Sequence, residues 1–461
     1  MEKLLSKVKK IHLIGIGGVG MSGLALLLQD KGFLVQGSDI CQTAKTEMLE
    51  KRGIKVYFGH KKANIDSKVD LICYSSAVSL DNRELEEAKN KGIQIMQRGK
   101  LLACLCKDTK TIAVAGSHGK TTIVSLLSYI FKKIGYTPTL FVGGLPVDGS
   151  LSAVWGRDYS IIETDESDGT FLDYQPYISV ITNIDKEHLN YYGSFANLKK
   201  SFLSFAEKTN EKVFGCGDQK EVKEIVDKVG GVSYGLDSGC YLTAKNISSD
   251  KKFSYFDLYK GKKLCFSVKS PLLGMHNCCN LLAVLAIFDY LKLDLKKIKN
   301  YLVDFKGTER RFQIKANIYG VTFIDDYAHH PTEIRATLEA AKTLSAKRLV
   351  AILQPHRPSR VKLLFKEFSS CLEQADLVLV TDTYRASEPY LEEVNSFKLV
   401  EAIKNRGYKT INYLKKDKLR LKVPKMLREG DLVVSLGAGD INKQLEGIID
   451  EFKKNKTETK C

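Results

Sequence analysis

The chain has 461 residues, 44% of them hydrophobic and 27% charged, and a formal charge of +17. Its length exceeds what one hydrophobic core supports and points to about three domains; its balanced composition excludes a disordered or disulfide-stapled protein. The lysine pairs behind the charge (Lys61-Lys62, Lys132-Lys133, Lys199-Lys200, Lys251-Lys252, Lys262-Lys263, Lys415-Lys416) are spread along the chain without aromatic interleaving, which argues for solvated faces and anion-holding clefts and against nucleic acid.

Met1 to Lys10 is polar and leads straight into an apolar segment, without the apolar core or cleavage site of a signal peptide. The longest apolar run, Leu281 to Ile287, is far below the about 20 residues of a spanning helix. A cytoplasmic protein without membrane insertion is therefore expected. The 11 cysteines are scattered and read as buried thiols of a reducing compartment; Cys104-Leu-Cys106 and Cys278-Cys279 lack zinc spacing, so no metal-thiolate site is expected.

In chain order, residues 11–20 read as a strand and glycine turn, followed by a helix through Gln29, strands near 34–37 and 71–75, a helix near 82–90 and a strand at 93–96. Arg98 to Thr109 reads as an exit segment. A second α/β unit opens at Thr111, with strands near 160–164 and 178–183. Phe253-Tyr259 and Lys263-Val268 flank Lys260-Gly261-Lys262 as a β-hairpin, and a helix follows over 279–291. A third unit begins after 305–313, with strands at 321–325, 348–353, 377–381 and 432–436. The tail from Lys453 to Cys461 is polar and expected to fray. The fold class is α/β in three domains: 1–106 Rossmann-like, 107–309 an ATPase-type unit with a small β excursion, and 310–461 Rossmann-like again.

Ile112-Ala-Val-Ala-Gly116-Ser117-His118-Gly119-Lys120-Thr121-Thr122 is an apolar strand running into a glycine loop and a helix, an arrangement that aims backbone amides at nucleotide phosphates. Lys120 suits phosphoryl oxygens and a Thr121 or Thr122 hydroxyl suits Mg²⁺, although the spacing is two residues shorter than the common phosphate loop. ATP is the expected cofactor, with Mg²⁺ or Mn²⁺. Gly15-Ile-Gly17-Gly18-Val-Gly20, with Asp39 about 20 residues on, is a second diphosphate loop that NAD, FAD or a UDP-sugar would satisfy. Asp39 either holds a ribose or sugar hydroxyl or ends a strand. Glu163-Thr-Asp165-Glu166-Ser-Asp168 follows a buried strand and suits Mg²⁺ beside nucleotide phosphates, and His188 falls at the next strand edge. Asp325-Asp326-Tyr327-Ala328-His329-His330 and Gln354-Pro-His356-Arg357-Pro-Ser-Arg360 end strands of the third unit, where arginines suit a carboxylate or phosphate. No activated Ser or Cys nucleophile is evident, which favours direct phosphoryl transfer.

Together with Gly274-Met-His276-Asn277, Arg310-Arg-Phe-Gln313 and Gly437-Ala-Gly-Asp440, these motifs, in this order over residues 11 to about 442, resemble the Mur ligases. The resemblance implies joining of L-alanine to the carboxylate of UDP-N-acetylmuramate for peptidoglycan, through an acyl phosphate and a tetrahedral intermediate. It implies that Gly15, Gly17, Gly18, Gly20, Met21, Ser38, Asp39, Ser75, Ser76 and Arg98 hold the UDP-sugar. Gly116, Ser117, His118, Gly119, Lys120, Thr121, Thr122, His276, Asn277, Arg310 and Asp325 would hold ATP, and Thr121, Glu163 and His188 the metal. His329, His356, Arg357 and Arg360 would lie at alanine or the intermediate, and Lys120, His188, Arg310, His329 and Arg357 would carry the chemistry. Only small-molecule substrates are implied, in a monomer or homodimer. The chain departs from family habit at Ser117 (commonly Thr), Ala328 (commonly Gly), Lys186-Glu187 (commonly Pro-Asp) and Gly99 (commonly bulkier). Competing readings are a tripeptide-recycling ligase of the same family, a nicotinamide-dependent oxidoreductase and a non-catalytic ATP-binding regulator.

Overall fold

A computed structural model of the protein describes residues 5–458 except 148, 150, 387 and 409. The first sheet consists of β1 (Lys10–Ile14), β2 (Leu34–Asp39), β3 (Lys55–Phe58), β4 (Leu71–Tyr74) and β5 (Gln94–Gln97), in the order β3-β2-β1-β4-β5. All its pairings are parallel. β1 and β4 are apolar runs because helices cover both faces of a parallel sheet; in helix Val19–Asp30 every residue from Met21 to Leu28 is buried. The order reverses between β1 and β4, and the Gly15 turn, at φ 79°, stands at that switch point.

Arg98–Cys106, expected to be an exit segment, is a helix. A Cβ on Gly99 in its first turn would collide with the Thr170 side chain, which explains why the bulkier residue of the family is absent. Gly99→Ala is expected to cost about 1–3 kcal/mol through overpacking, read as a lower midpoint in thermal unfolding.

The second sheet holds β6 (Lys110–Ala115), β7 (Thr139–Phe141), β8 (Ala153–Val154), β9 (Tyr159–Glu163), β10 (Ile178–Ile181), β11 (Lys212–Cys216), β12 (Val232–Gly235), β13 (Leu242–Ser249), β14 (Ser254–Lys260) and β15 (Lys263–Ser270), ordered β15-β14-β13-β12-β11-β10-β6-β9-β7-β8. β6 lies between β10 and β9, a second switch point. The expected hairpin is β14–β15, with Gly261 at φ 59° in its turn. The helix expected from Cys279 begins at Met275 instead, directly after Gly274 at φ 94°.

The third sheet holds β16 (Gln313–Ile318), β17 (Val321–Asp326), β18 (Arg348–Leu353), β19 (Leu377–Val380), β20 (Ile411–Tyr413) and β21 (Asp431–Leu436), ordered β16-β17-β21-β18-β19-β20. Only β16 runs antiparallel, paired to β17 at the sheet edge. Apolar clusters fill both faces, one around Ile334, Leu338 and Phe368 and the other around Phe323, Leu445 and Phe452. The last helix, Ile441–Glu458, continues through most of the tail expected to fray; residues 459–461 lie outside the described residues. The chain divides into two compact units, residues 1–246, 257–268 and 279–306 in one and 247–256, 269–278 and 307–461 in the other. No helix among the described residues is long and apolar enough to cross a membrane.

Candidate active site

The loop after β1 is closed by its own chain. Gly17 N donates to Asp39 Oδ2 at 2.8 Å and Ile40 N to Asp39 Oδ1 at 2.8 Å, so both oxygens of Asp39 serve the local backbone. Ser38, expected at a ligand, is fully buried; its hydroxyl donates to Glu84 Oε2 at 2.5 Å and meets His60 Nδ1 at 3.0 Å. Burial opposes the Glu84 charge, but His12, Ser38 and Asn64 hold its pKa below the usual value. Met21 is likewise a core residue behind the loop; apolar packing places it there. Ser75 accepts from Ala77 N at 3.3 Å and Ser76 is exposed, both just past β4. Gly18 and Gly20 open the helix, and a side chain at Gly20 would strike the Arg98 guanidinium. Arg98 Nη2 in turn donates to Asp165 Oδ2 at 2.8 Å.

After β6 the phosphate loop is held from β10's exit. Ser117 N donates to the Asn183 carbonyl at 3.0 Å, His118 N to Asn183 Oδ1 at 2.8 Å, and Thr182 Oγ1 to the His118 carbonyl at 2.6 Å. His118 Nε2 lies 2.7 Å from Asp185 Oδ2. Gly116 and Gly119 have φ 131° and 85°, and a Cβ on Gly119 would come within 2.5 Å of Asn280 Oδ1. Only glycine tolerates both conformation and contact there.

Lys120 opens helix Lys120–Lys133. Its Nζ donates to both Glu166 oxygens at 2.7 Å and to the Gly116 carbonyl. Burial opposes the ammonium charge, but Glu166 and Glu163 outweigh it and raise the Lys120 pKa. Burial pushes Glu166 up to about 7, with Lys120 pulling the other way. Thr121 Oγ1 donates to Glu163 at 3.0 and 3.1 Å, and Glu163 Oε2 also accepts Gly143 N at 2.8 Å. Thr122 is buried in the same turn.

The expected metal set divides in two. Thr121 stands with Glu163, whereas His188 gathers with Glu166 and Glu187, their ligand atoms all within 4.8 Å of one another. His188 reaches that position through φ 56° at the start of a short helix, and Tyr192 OH donates to the Glu166 carbonyl at 2.5 Å. These hard carboxylate and hydroxyl oxygens fit Mg²⁺. Glu166, read only as part of the acidic run after β9, and Glu187, given no individual role, complete the cluster.

In the other unit, Asn277 Nδ2 donates to the Leu273 carbonyl at 2.8 Å, which fixes the first turn that also carries His276. Arg310, at φ 58°, donates to Asp325 Oδ2 at 3.2 Å, to the Gly439 carbonyl at 3.2 Å and to the Gly437 carbonyl at 2.6 Å. Burial raises the Asp325 pKa against the pull of Arg310. Arg310 and Asp325 thus serve each other and the Gly437-Ala-Gly439 turn.

The four residues expected at alanine come together at the ends of β17 and β18. His329 and His356 rings are 5.3 Å apart, and Arg360 Nη1 lies 3.2 Å from His356 Nδ1. Burial, then His329, Arg360 and Arg357, push His356 down to about 3, so its ring is neutral at physiological pH. Tyr384 stacks on His356 at 5.5 Å and 7° and accepts Arg357 N on its carbonyl at 2.8 Å. Sequence reasoning missed Tyr384 because an isolated tyrosine after a strand carries no pattern.

Comparison with known proteins agrees with this organisation. Residues 10–110 match the Mur ligase family catalytic domain, 114–288 the Mur ligase middle domain, and 310–439 the Mur ligase glutamate ligase domain. A relative in Caldanaerobacter subterraneus subsp. tengcongensis, named UDP-N-acetylmuramate–L-alanine ligase, is 41% identical over 462 aligned positions, covering 98% of this chain and 100% of its own. One of the same name in Carboxydothermus hydrogenoformans is 39% identical over 448, covering 96% and 97%. The crystal structure of the UDP-N-acetylmuramate-alanine ligase MurC from Thermotoga maritima has a TM-score of 0.83 at 30% identity, covering 97% of this chain and 99% of its own. With family models matching three successive stretches of its sequence and relatives about 40% identical over nearly its whole length, the chain belongs to the Mur ligase family.

Proposed function

We propose that the protein joins L-alanine to the carboxylate of UDP-N-acetylmuramate at the expense of ATP, a cytoplasmic step in peptidoglycan precursor synthesis. The observation that carries this reading is the phosphate loop, whose Lys120 and Thr121 meet the acidic loop through Glu166 and Glu163, in a chain about 40% identical to ligases of that name. Residues 1–106 are assigned to the UDP-sugar, with Arg98 and the Gly15–Gly20 loop at its diphosphate. Residues 107–309 are assigned to ATP, and 310–461 to the amino acid and the far side of the nucleotide.

Lys120 neutralises the γ-phosphoryl group as it passes to the muramyl carboxylate. The alanine amine then attacks the acyl phosphate, and the tetrahedral intermediate expels phosphate to leave the amide. Arg357 and Arg360 hold the alanine carboxylate, and His329 and the neutral His356 border the reacting amine. Arg310 orders the Gly437–Gly439 turn. Mg²⁺, held by Thr121 and Glu163 and by the His188 cluster, would supply charge neutralisation of the polyphosphate. Glu163→Gln and Thr121→Val are each expected to raise the Mg²⁺ concentration for half-maximal rate at least about tenfold, measured by titrating Mg²⁺ at fixed ATP.

The deciding experiment measures phosphate release from ATP and Mg²⁺ with UDP-N-acetylmuramate, with and without L-alanine, together with the mass of the UDP product. Release dependent on both substrates, with a gain of one alanyl residue, establishes the reaction. Release only with a tripeptide moves the assignment to recycling, and no release with any acceptor removes the catalytic reading.

A further inference from the structure

Away from the phosphate loop, β11 ends at Cys216, with Gly217-Asp218 directly after it, and the first turns of helix Met275–Tyr290 carry Cys279. The Cys216 and Cys279 sulfurs lie 3.8 and 3.7 Å from the same oxygen, Asp218 Oδ2, and the three ligand atoms are all within 4.8 Å of one another. We propose that Cys216, Asp218 and Cys279 form a binding site for a thiophilic divalent cation, zinc in first place.

Three observations support it. The spacing is close to that of a formed site: with Zn–S near 2.3 Å and Zn–O near 2.0 Å, tetrahedral sulfur and oxygen ligands stand roughly 3.5 Å apart, so the two sulfurs need move only slightly. The carboxylate is set in advance by the backbone. Leu236 N donates to both its oxygens at 2.8 and 2.9 Å, and Asp237 N to Oδ1 at 2.9 Å. A side chain at Gly235 would fall 2.5 Å from that carboxylate, so glycine leaves it room. The donor set is also selective. Two sulfurs and one carboxylate suit zinc and disfavour magnesium or calcium, which separates this site from the oxygen-rich cluster at Thr121 and Glu163.

Loading releases the two S–H protons to solvent and leaves two thiolates and a carboxylate on the cation. Asp218 is exposed, so water completes the fourth position. Neither cysteine pair that is adjacent in sequence builds the site; the second thiol comes from a distant element, which spacing could not show.

The test uses the full-length, metal-free protein under a phosphine reductant, titrated with Co²⁺ and then displaced by Zn²⁺. One equivalent of Co²⁺ is expected to produce thiolate-to-cobalt charge-transfer absorption that excess Mg²⁺ does not displace. Cys216→Ser and Cys279→Ser should abolish it, Asp218→Asn should weaken binding at least tenfold, and Cys265→Ser should leave it unchanged. In the unmutated protein, equimolar Zn²⁺ should protect Cys216 and Cys279 from alkylation, read peptide by peptide by mass spectrometry. Absence of saturable absorption, its survival in both serine variants, or unchanged alkylation of these two thiols overturns the proposal.

Discussion

Lys120→Ala is expected to lower turnover by about 10³-fold or more, with UDP-N-acetylmuramate binding in the absence of nucleotide unchanged within about threefold. The first figure follows from the position of the ammonium: it opens the helix behind the phosphate loop, and no other cation adjoins Glu166 among the described ion pairs. The second follows because the glycine loop assigned to the UDP-sugar follows β1 of a different sheet and reaches Lys120 only indirectly, through Arg98, Asp165 and Glu166. Stability separates two consequences of the change. Glu166 is almost fully buried, and removing its partner strands a buried carboxyl whose ionised form has lost its compensation, which lowers stability. Adding Glu166→Gln to Lys120→Ala should therefore restore much of the thermal midpoint and none of the activity. Equal loss of UDP-sugar binding and turnover in Lys120→Ala would refute the assignment of the two loops to different substrates.

Arg357→Ala is expected to raise the alanine KM by roughly 10²-fold while the KM for UDP-N-acetylmuramate stays put, because a charge-assisted contact to a carboxylate is worth about 1.5–3 kcal/mol. Arg357 also has a backbone role: φ is 62°, and its amide is held by the Tyr384 carbonyl. Arg357→Gly separates the roles. Glycine accepts that conformation without strain, so if the guanidinium matters, the glycine and alanine variants lose alanine affinity equally. A glycine variant with ordinary alanine kinetics would remove the side chain from the amino-acid site.

The sequence made legible those elements that carry long apolar runs. β1, β4, β6, β10, β17, β18 and β21 are buried on both faces, and the two glycine loops follow directly from such strands. β3, Lys55-Val-Tyr-Phe, and β16, Gln313-Ile-Lys-Ala-Asn-Ile, were missed because an edge strand needs only one covered face and tolerates lysine. The phosphate loop and the Arg/His cluster were read from local motifs. What spacing could not supply was three-dimensional bookkeeping of polar partners: Ser38 satisfies a buried glutamate, Asp39 closes its own loop, and His188 joins Glu166 and Glu187. Departures from family habit proved compatible with local structure. Ser117 keeps the needed hydroxyl, which accepts Asp185 N at 2.9 Å, and Ala328 is buried with its amide on Asp326 Oδ1 at 2.5 Å.

The Arg98–Asp165 contact bears on how the binding of one substrate is felt by the other. Arg98 covers Gly20 of one loop and grips Asp165, and the very next residue, Glu166, holds Lys120 of the other. A ligand that draws Arg98 toward its own diphosphate loosens the acidic loop on which Lys120 rests, and a ligand that draws Lys120 away frees the same loop from the opposite side. Such an arrangement ties the two affinities thermodynamically: whatever factor UDP-N-acetylmuramate imposes on ATP binding, ATP imposes equally on UDP-N-acetylmuramate. Arg98→Lys, which keeps the charge and loses the guanidinium that lies against both Gly20 and Asp165, should bring that common factor toward one.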